Sequence, residues 1–262
     1  MDVLNVYSIK AIEHQYSTGE EPVLVVCSDM RAYICKYMRS SSTIAYKLFC
    51  EFAGAYYAHI WNIKSPAFAL ITLNPNHWST VLTQHSNSAP AIGFIKLSNV
   101  VDITQTTYSQ ISATKDILFQ ILKIALFDFW IANEDRTYNN SNLLYDVEKE
   151  QLISIDYGGI FNTATFDYRS EEHTSELHGG IFNTATFDYP LSQLTETDSI
   201  IYADIFRHIS TMTTRHLNSS LHILEKQYKD ATIACLKEND YILGMIPKEW
   251  NLPENTVKKK LN

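Results

Sequence analysis

A chain of 262 residues with 45% hydrophobic and 19% charged side chains can bury a sizeable core, as one large domain or two small lobes, and is too apolar for extended disorder. Its formal net charge of −8, with Lys258-Lys259-Lys260 as the one basic cluster, argues against a protein that holds nucleic acid by neutralising phosphates. Cys27, Cys35, Cys50 and Cys235 stand singly in apolar stretches without metal-ligand spacing, which predicts buried free thiols rather than a zinc site.

In chain order, the first 15 residues mix charged and apolar side chains and lack the apolar core of a secretory signal. Val3 to Ile12 reads as a strand and Ser17 to Pro22 as a turn. Val23 to Cys27 and Arg31 to Met38, joined at Ser28-Asp29, read as a hairpin. The hydroxyls of Ser40 to Thr43 suit an N-cap, and a long helix is expected from Ile44 to Trp61. Pro66 ends that pattern. Ala67 to Leu73 and Ala91 to Leu97 follow as strands, separated by a polar loop at Asn74 to Pro90.

Helices dominate after Thr114. Asp116 to Asn133 is apolar all round, as in a helix central to a lobe. Because Gln120, Lys123 and Asp128 interrupt its most apolar stretch, no membrane span is expected, and the expected location is the cytoplasm. Leu143 to Tyr145 and Gln151 to Ile155 form a second hairpin, and Thr197 to His208 and Leu217 to Lys237 supply later helices. Leu261-Asn262 reads as the middle of a helix, as if the chain were cut short.

The eleven residues Gly158 to Tyr168 recur letter for letter at Gly179 to Tyr189. A lone repeat does not keep its surface polar residues identical under selection for structure, and solenoid repeats come in series with drift. The spacer Arg169 to Leu177 reads like a translated sequencing-library adapter, so the segment has the marks of an assembly artefact, with a recent duplication as the alternative. Removing Arg169 to Tyr189 leaves 262 − 21 = 241 continuous residues. His173 and His178 are therefore not read as ligands.

Chemistry concentrates between Asn133 and Gly159. The loop after the central helix carries Asp135, Asn140 and Asn142, and the hairpin delivers Asp156 just before Tyr157-Gly158-Gly159. Phosphoryl transfer needs one carboxylate at the acceptor hydroxyl, and a second carboxylate with an amide oxygen on a Mg²⁺ bridging the phosphates. This order supplies all three. The bland alternative is an Asn-rich surface loop beside a satisfied Asp.

Strand alternation puts Lys36 on one face with Ala32, Ile34 and Met38, where a lone ammonium needs a partner. Glu51, on one side of the helix with Ile44, Leu48 and Ala55, is the matching carboxylate. Otherwise Lys36 snorkels at a strand end while Glu51 faces water. Ser17, Thr18 and Gly19 form a small-residue turn whose amides suit phosphate oxygens, although an ordinary hairpin turn reads equally well. No Walker, serine-hydrolase or zinc-protease motif occurs.

Asn133-Glu134-Asp135-Arg136 and Asp156-Tyr157-Gly158 resemble the catalytic loop and metal-binding Asp of the HipA-like kinases, relatives of protein and lipid kinases. Tyr33 to Lys36 and Phe49 to Glu51 resemble that family's lysine strand and glutamate helix. Thr137 stands where the family usually has His. The metal-ligand Asn falls at Asn140 by count from the Asp, or at Asn142 by its place before the Leu-Leu strand, and Asn142 is the better fit to the kinase spacing.

The resemblance implies an α+β, bilobal protein-kinase-like fold. Residues 1–98 would form a small β-rich N-lobe with one helix, and residues 99–262 a larger helical C-lobe containing the duplicated segment. It implies ATP and Mg²⁺ as cofactors and phosphorylation of Ser or Thr on a protein substrate. Toxin members of the family add an antitoxin-like partner as an expectation; neither nucleic acid nor membrane is expected. The implied roles are Asp135 at the acceptor hydroxyl, Asn142 (or Asn140) and Asp156 on the metal, Lys36 on the ATP phosphates and Glu51 positioning Lys36. Phe94 to Leu97 would face adenine. The alternatives are a small-molecule phosphotransferase of the aminoglycoside type and a non-catalytic nucleotide-binding module.

The duplicated segment follows Asp-Tyr-Gly, where kinases carry the activation segment. Excising Arg169 to Tyr189 is expected to raise the melting temperature or the activity. Equal values for the 262- and 241-residue chains (262 − 21) would refute that.

Overall fold

The computed structural model describes residues 3–10, 14–39, 42–77, 89–103, 111, 115–131, 133, 135–136, 140–161 and 230–261. The segment 169–189, the expected helix at 197–208, the first part of that at 217–237, Thr137, and Ser40 and Ser41 of the expected N-cap lie outside them. The fold is α+β. By its internal contacts the chain forms two compact units, one comprising Met1–Tyr56, Ser65–Ser98 and Leu236–Asn262, the other Tyr57–Lys64 and Asn99–Cys235.

The first unit is built on a six-stranded sheet, made of β1 (Leu4–Tyr7), β2 (His14–Gln15), β3 (Val23–Val26), β4 (Ala32–Lys36), β5 (Phe68–Thr72) and β6 (Ala91–Ile95). Their order is β1-β5-β6-β4-β3-β2, antiparallel except for β1 beside β5. The β-branched run of β3 pairs with β4 in a hairpin, Val23 opposite Cys35. Its turn is closed by Cys27 N–H donating to the Arg31 carbonyl at 3.0 Å, with Met30 in the left-handed region at φ 64°. The first strand is shorter than the sequence pattern predicts, and Ser8 continues it only as a bridge to Cys27.

Alternation sorts the two faces of this sheet. Val23, Val25, Tyr33, Cys35 and Ile71 enter one apolar cluster, while Ile34 and Lys36 point to the other side. Helix α1 (Ser42–Ile60) is buried at every residue from 48 to 58, and Phe52 meets Phe68 of β5 edge-on at 5.6 Å. None of the four cysteines forms a disulfide, and all are buried. Burial, with Asp29 adding to it, pushes Cys27 up to about 12, and burial raises Cys35 too, so both stay protonated.

The C-terminal residues close onto this unit. Trp250, 1% exposed, donates its indole N–H to the Pro90 carbonyl at 2.7 Å, and the Tyr56 hydroxyl donates to Glu238 at 3.0 Å. The described C-terminal helices cover 230–237, of which only the last two residues belong to this unit, Asn239–Met245 and Glu254–Leu261.

In the second unit, α2 (Lys115–Trp130) ends close to where its apolar run stops. Strands β8 (Leu143–Asp146) and β9 (Gln151–Ser154) form the expected hairpin, with Leu143 opposite Ser154. A strand not evident in the sequence, β7 (Val100–Asp102), pairs with β8. Asp146 organises the hairpin turn, accepting from the backbone N–H groups of Glu148 and Lys149 at 3.1 and 3.0 Å. The Lys149 ammonium on that carboxylate holds its pKa below the usual range. The Gln120 side chain accepts from the Leu152 N–H at 2.8 Å, and Trp61, Phe127 and Trp130 cluster with centroids 5.3 to 6.2 Å apart. Among the described residues, no helix is long and apolar enough to cross a membrane.

Gly93 sits inside the first sheet where a Cβ would come within 2.6 Å of Ile71 Cγ1 and 3.1 Å of Cys35 Sγ. Both neighbours are fully buried and Ile71 is stiff at χ1. Gly93→Ala is expected to cost about 1–3 kcal/mol in urea unfolding. An unchanged midpoint would mean that this side of the sheet yields easily.

Candidate active site

Lys36 ends β4 on the side of the sheet that carries α1, and its ammonium donates to the Glu51 carboxylate in a direct ion pair. The Glu51 side chain is 0% exposed and that of Lys36 13%, so neither charge would be tolerated there alone. A second carboxylate, Glu20, lies 2.9 Å from Lys36 through one oxygen and 2.9 Å from Lys47 through the other. Lys47 lies one helical turn before Glu51 on α1, hence on the same side. Glu20 follows the small-residue turn, in which Glu21 N–H donates to the Thr18 carbonyl at 2.9 Å and Glu21 takes φ 45°. Ser17 and Thr18 are exposed. A Cβ at Gly19 would meet nothing within 4 Å, so packing leaves room above the turn. The backbone N–H groups of Ile95 and Lys96, within the stretch expected to face adenine, donate to the Ala67 and Ala32 carbonyls.

In the second unit the site begins with Asp128, an acid in the apolar helix α2. Its carboxylate accepts from Arg136 Nε at 2.6 Å and from the Asn133 amide at 2.8 Å. Burial pushes the Asp128 pKa up from the carboxylate norm, against the pull of Arg136 and Asn133. Arg136, 0% exposed, uses the rest of its fork on the Ser141 and Asn142 carbonyls at 2.9 and 2.5 Å and on the Ser154 hydroxyl at 2.7 Å. One guanidinium thus joins the end of α2, the loop and β9.

Asp135 is exposed next to this anchor, its N–H donating to Asn133 Oδ1 at 3.2 Å. Around it stand Asn140, whose amide donates to the Asp135 carbonyl at 3.2 Å and to Oδ1 at 3.4 Å, and Asn142, whose amide donates to Oδ2 at 3.4 Å. Asn142 is also tied to the Asp156 segment, because Ile155 N–H donates to its carbonyl at 3.0 Å. Asn142 and Asp156 both adopt left-handed backbone, φ 47° and 58°, a conformation that Asn and Asp tolerate better than most residues.

The segment after Asp156 folds back on Asp135. Gly158 N–H donates to Asp156 Oδ1 at 3.5 Å, and Phe161 N–H to the Ile131 carbonyl at 2.9 Å. A Cβ on Gly159 would lie 2.6 Å from Asp135 Cβ, so only glycine lets these backbones approach. Asp135, Asn140, Asn142 and the Asp156 segment are therefore brought together within the second unit, and Lys36 and Glu51 within the first. The donors that could hold a metal are the Asp156 carboxylate and the Asn142 amide oxygen. Such a sparse, all-oxygen set suits Mg²⁺, which binds through one or two carboxylates plus phosphates and water. Among the described residues no three His, Cys, Asp or Glu gather as a dedicated cage would require.

Several of these residues escape a reading of the sequence. Asp128 left one trace, an acid in an apolar helix, and Arg136, although it stands in the Asn133–Arg136 motif, carries no sign there of being the buried anchor. Glu20 and Lys47 look like ordinary surface charges, and Gly159 looks like turn composition.

A family model described as HipA-like kinase matches residues 9–188, and 188 − 9 + 1 = 180 of 262 residues is more than half of the chain. No curated protein matches the chain. Among solved structures, the Helicobacter pylori proinflammatory kinase CtkA is similar at 14% identity, covering 86% of this chain and 94% of its own, with a TM-score of 0.43.

Replacing Arg136 strands the buried Asp128 carboxylate. Arg136→Met is expected to cost about 3–5 kcal/mol, and adding Asp128→Asn to recover part of it, because a missing partner is worse than a missing pair. Chemical denaturation of both variants checks this. A double variant less stable than the single one would contradict it.

Proposed function

Since this chain belongs to the HipA-like kinase family, we propose that it transfers the γ-phosphoryl group of MgATP to a Ser or Thr hydroxyl of a protein substrate. The observation that carries this reading is the cluster at Asp135, with two amides directed at its carboxylate and its backbone, and Gly159 pressed against it. A surface Asp in an Asn-rich loop needs no such enclosure.

In the proposed reaction the acceptor oxygen forms a bond to the γ-phosphorus while the bond from that phosphorus to the β–γ bridging oxygen breaks, and ADP leaves. Asp135 orients the hydroxyl and takes its proton, which then passes to solvent. Asn140 and Asn142 hold the Asp135 carboxylate in one rotamer. Asp156 and Asn142 would hold the metal, which when bound would neutralise phosphate charge. The choice of Asn142 over Asn140 rests on its backbone bond to Ile155, next to Asp156. Lys36 binds the α and β phosphates, and Glu51 fixes the Lys36 ammonium.

Incubation of the purified chain with γ-labelled ATP, Mg²⁺ and candidate proteins should give label on Ser or Thr. Asp135→Asn should lower kcat by about 10²–10⁴-fold with little change in ATP affinity. Transfer that survives Asp135→Asn at the full rate would remove Asp135 from the chemistry. Label on a small molecule instead of protein would remove the assigned substrate class.

A further inference from the structure

Beside the Lys36–Glu51 pair lies a cavity of about 220 Å³, lined by Gly19, Glu20, Lys36, Arg39, Lys47 and Leu48 among others. Three cationic side chains border this one space. Glu20 spans two of them, one carboxylate oxygen 2.9 Å from Lys36 Nζ and the other 2.9 Å from Lys47 Nζ. Arg39 gives one nitrogen to Glu21 at 3.2 Å, while its buried Nη2 has no hydrogen-bond partner among the described residues.

Two ammonium groups held on the two oxygens of one carboxylate present the spacing and charge that recognise two oxygens of a phosphate, a slightly larger group of the same shape. Lys36 has the buried Glu51 as a permanent counter-ion. Glu20 by contrast has a side chain 29% exposed and rides on a turn with open space above Gly19, so it is the member able to leave.

We infer that Lys47 is a second phosphate-binding residue beside Lys36, and that Glu20 fills their shared anion seat until a nucleoside di- or triphosphate displaces it. This rests on the nucleotide reading of Lys36 given above. The ligand chemistry is a polyphosphate. A nucleoside without phosphates gains nothing from the seat, and Glu20 lowers the affinity for any phosphate that must replace it.

The test is ADP and adenosine binding by calorimetry on the full chain, for the wild type and for Lys36→Ala, Glu20→Gln, Lys47→Ala and Glu20→Gln with Lys47→Ala. Glu20→Gln should tighten ADP binding. In that background, with the Glu20 carboxylate gone, Lys47→Ala should weaken ADP about tenfold, the low end for a charged hydrogen bond because the Lys47 side chain is 49% exposed. Adenosine binding should not change.

Three outcomes overturn the inference. If ADP binding depends on Lys36 but not on Lys47 in the Glu20→Gln background, Lys47 is no phosphate ligand and the wider reading stands. If Glu20→Gln weakens ADP, Glu20 supports the nucleotide instead of competing with it. If the wild type binds no ADP, or Lys36→Ala changes nothing, the nucleotide reading of Lys36 fails and takes the seat with it. Since Lys47 is half-exposed, its variants should melt with the wild type, so a loss of binding is not a loss of fold.

Discussion

The arrangement at Asp135 depends on a single buried cation. Arg136 is fully buried, and its burial is tolerable only because Asp128, two backbone carbonyls and the Ser154 hydroxyl share its protons. Those partners belong to three separate elements. Satisfying one guanidinium therefore fixes where the helix ends, where the loop turns and where β9 runs, and Asp135 inherits its place from the neighbouring residue. Such a network stabilises little on its own account, but it penalises every arrangement in which one partner is missing.

The first unit applies the same logic to the opposite sign. Glu51 is fully buried in a helix that is apolar around it, and the Lys36 ammonium is what makes that position tenable. The pair links a strand to a helix at a defined distance. Glu20 and Lys47 extend it outward into a row of alternating charges. Where this row meets open space, the two ammonium groups are held by a carboxylate on a partly exposed turn, and that is what the proposed phosphate seat rests on.

Much of this was legible in the sequence, for physical reasons. The β3–β4 and β8–β9 hairpins follow from alternation interrupted by turn residues, and the α1 and α2 helices from apolar runs of helical length. Lys36 and Glu51 announced each other because each was a charge on an apolar face. Pairings set by distant parts of the chain left no such trace: β1 lies parallel to β5, β7 adds to β8, and Trp250 reaches Pro90. Local periodicity carries no information about which strands meet. The Glu20 bridge is hidden for the same reason, since charges on a turn and on a helix look like solvated surface until the fold brings them within 2.9 Å.

In the proposed site, Asp156 and Asn142 seat the metal of a bound nucleotide. Mn²⁺, substituted for Mg²⁺, reports its own coordination through water-proton relaxation when titrated into the chain with ATP. A ternary Mn²⁺–ATP complex is expected, with a metal affinity that falls by roughly 10–100-fold or more in Asp156→Asn and adenosine binding unaltered. The same relaxation enhancement in Asp156→Asn as in the wild type would remove Asp156 from the metal site.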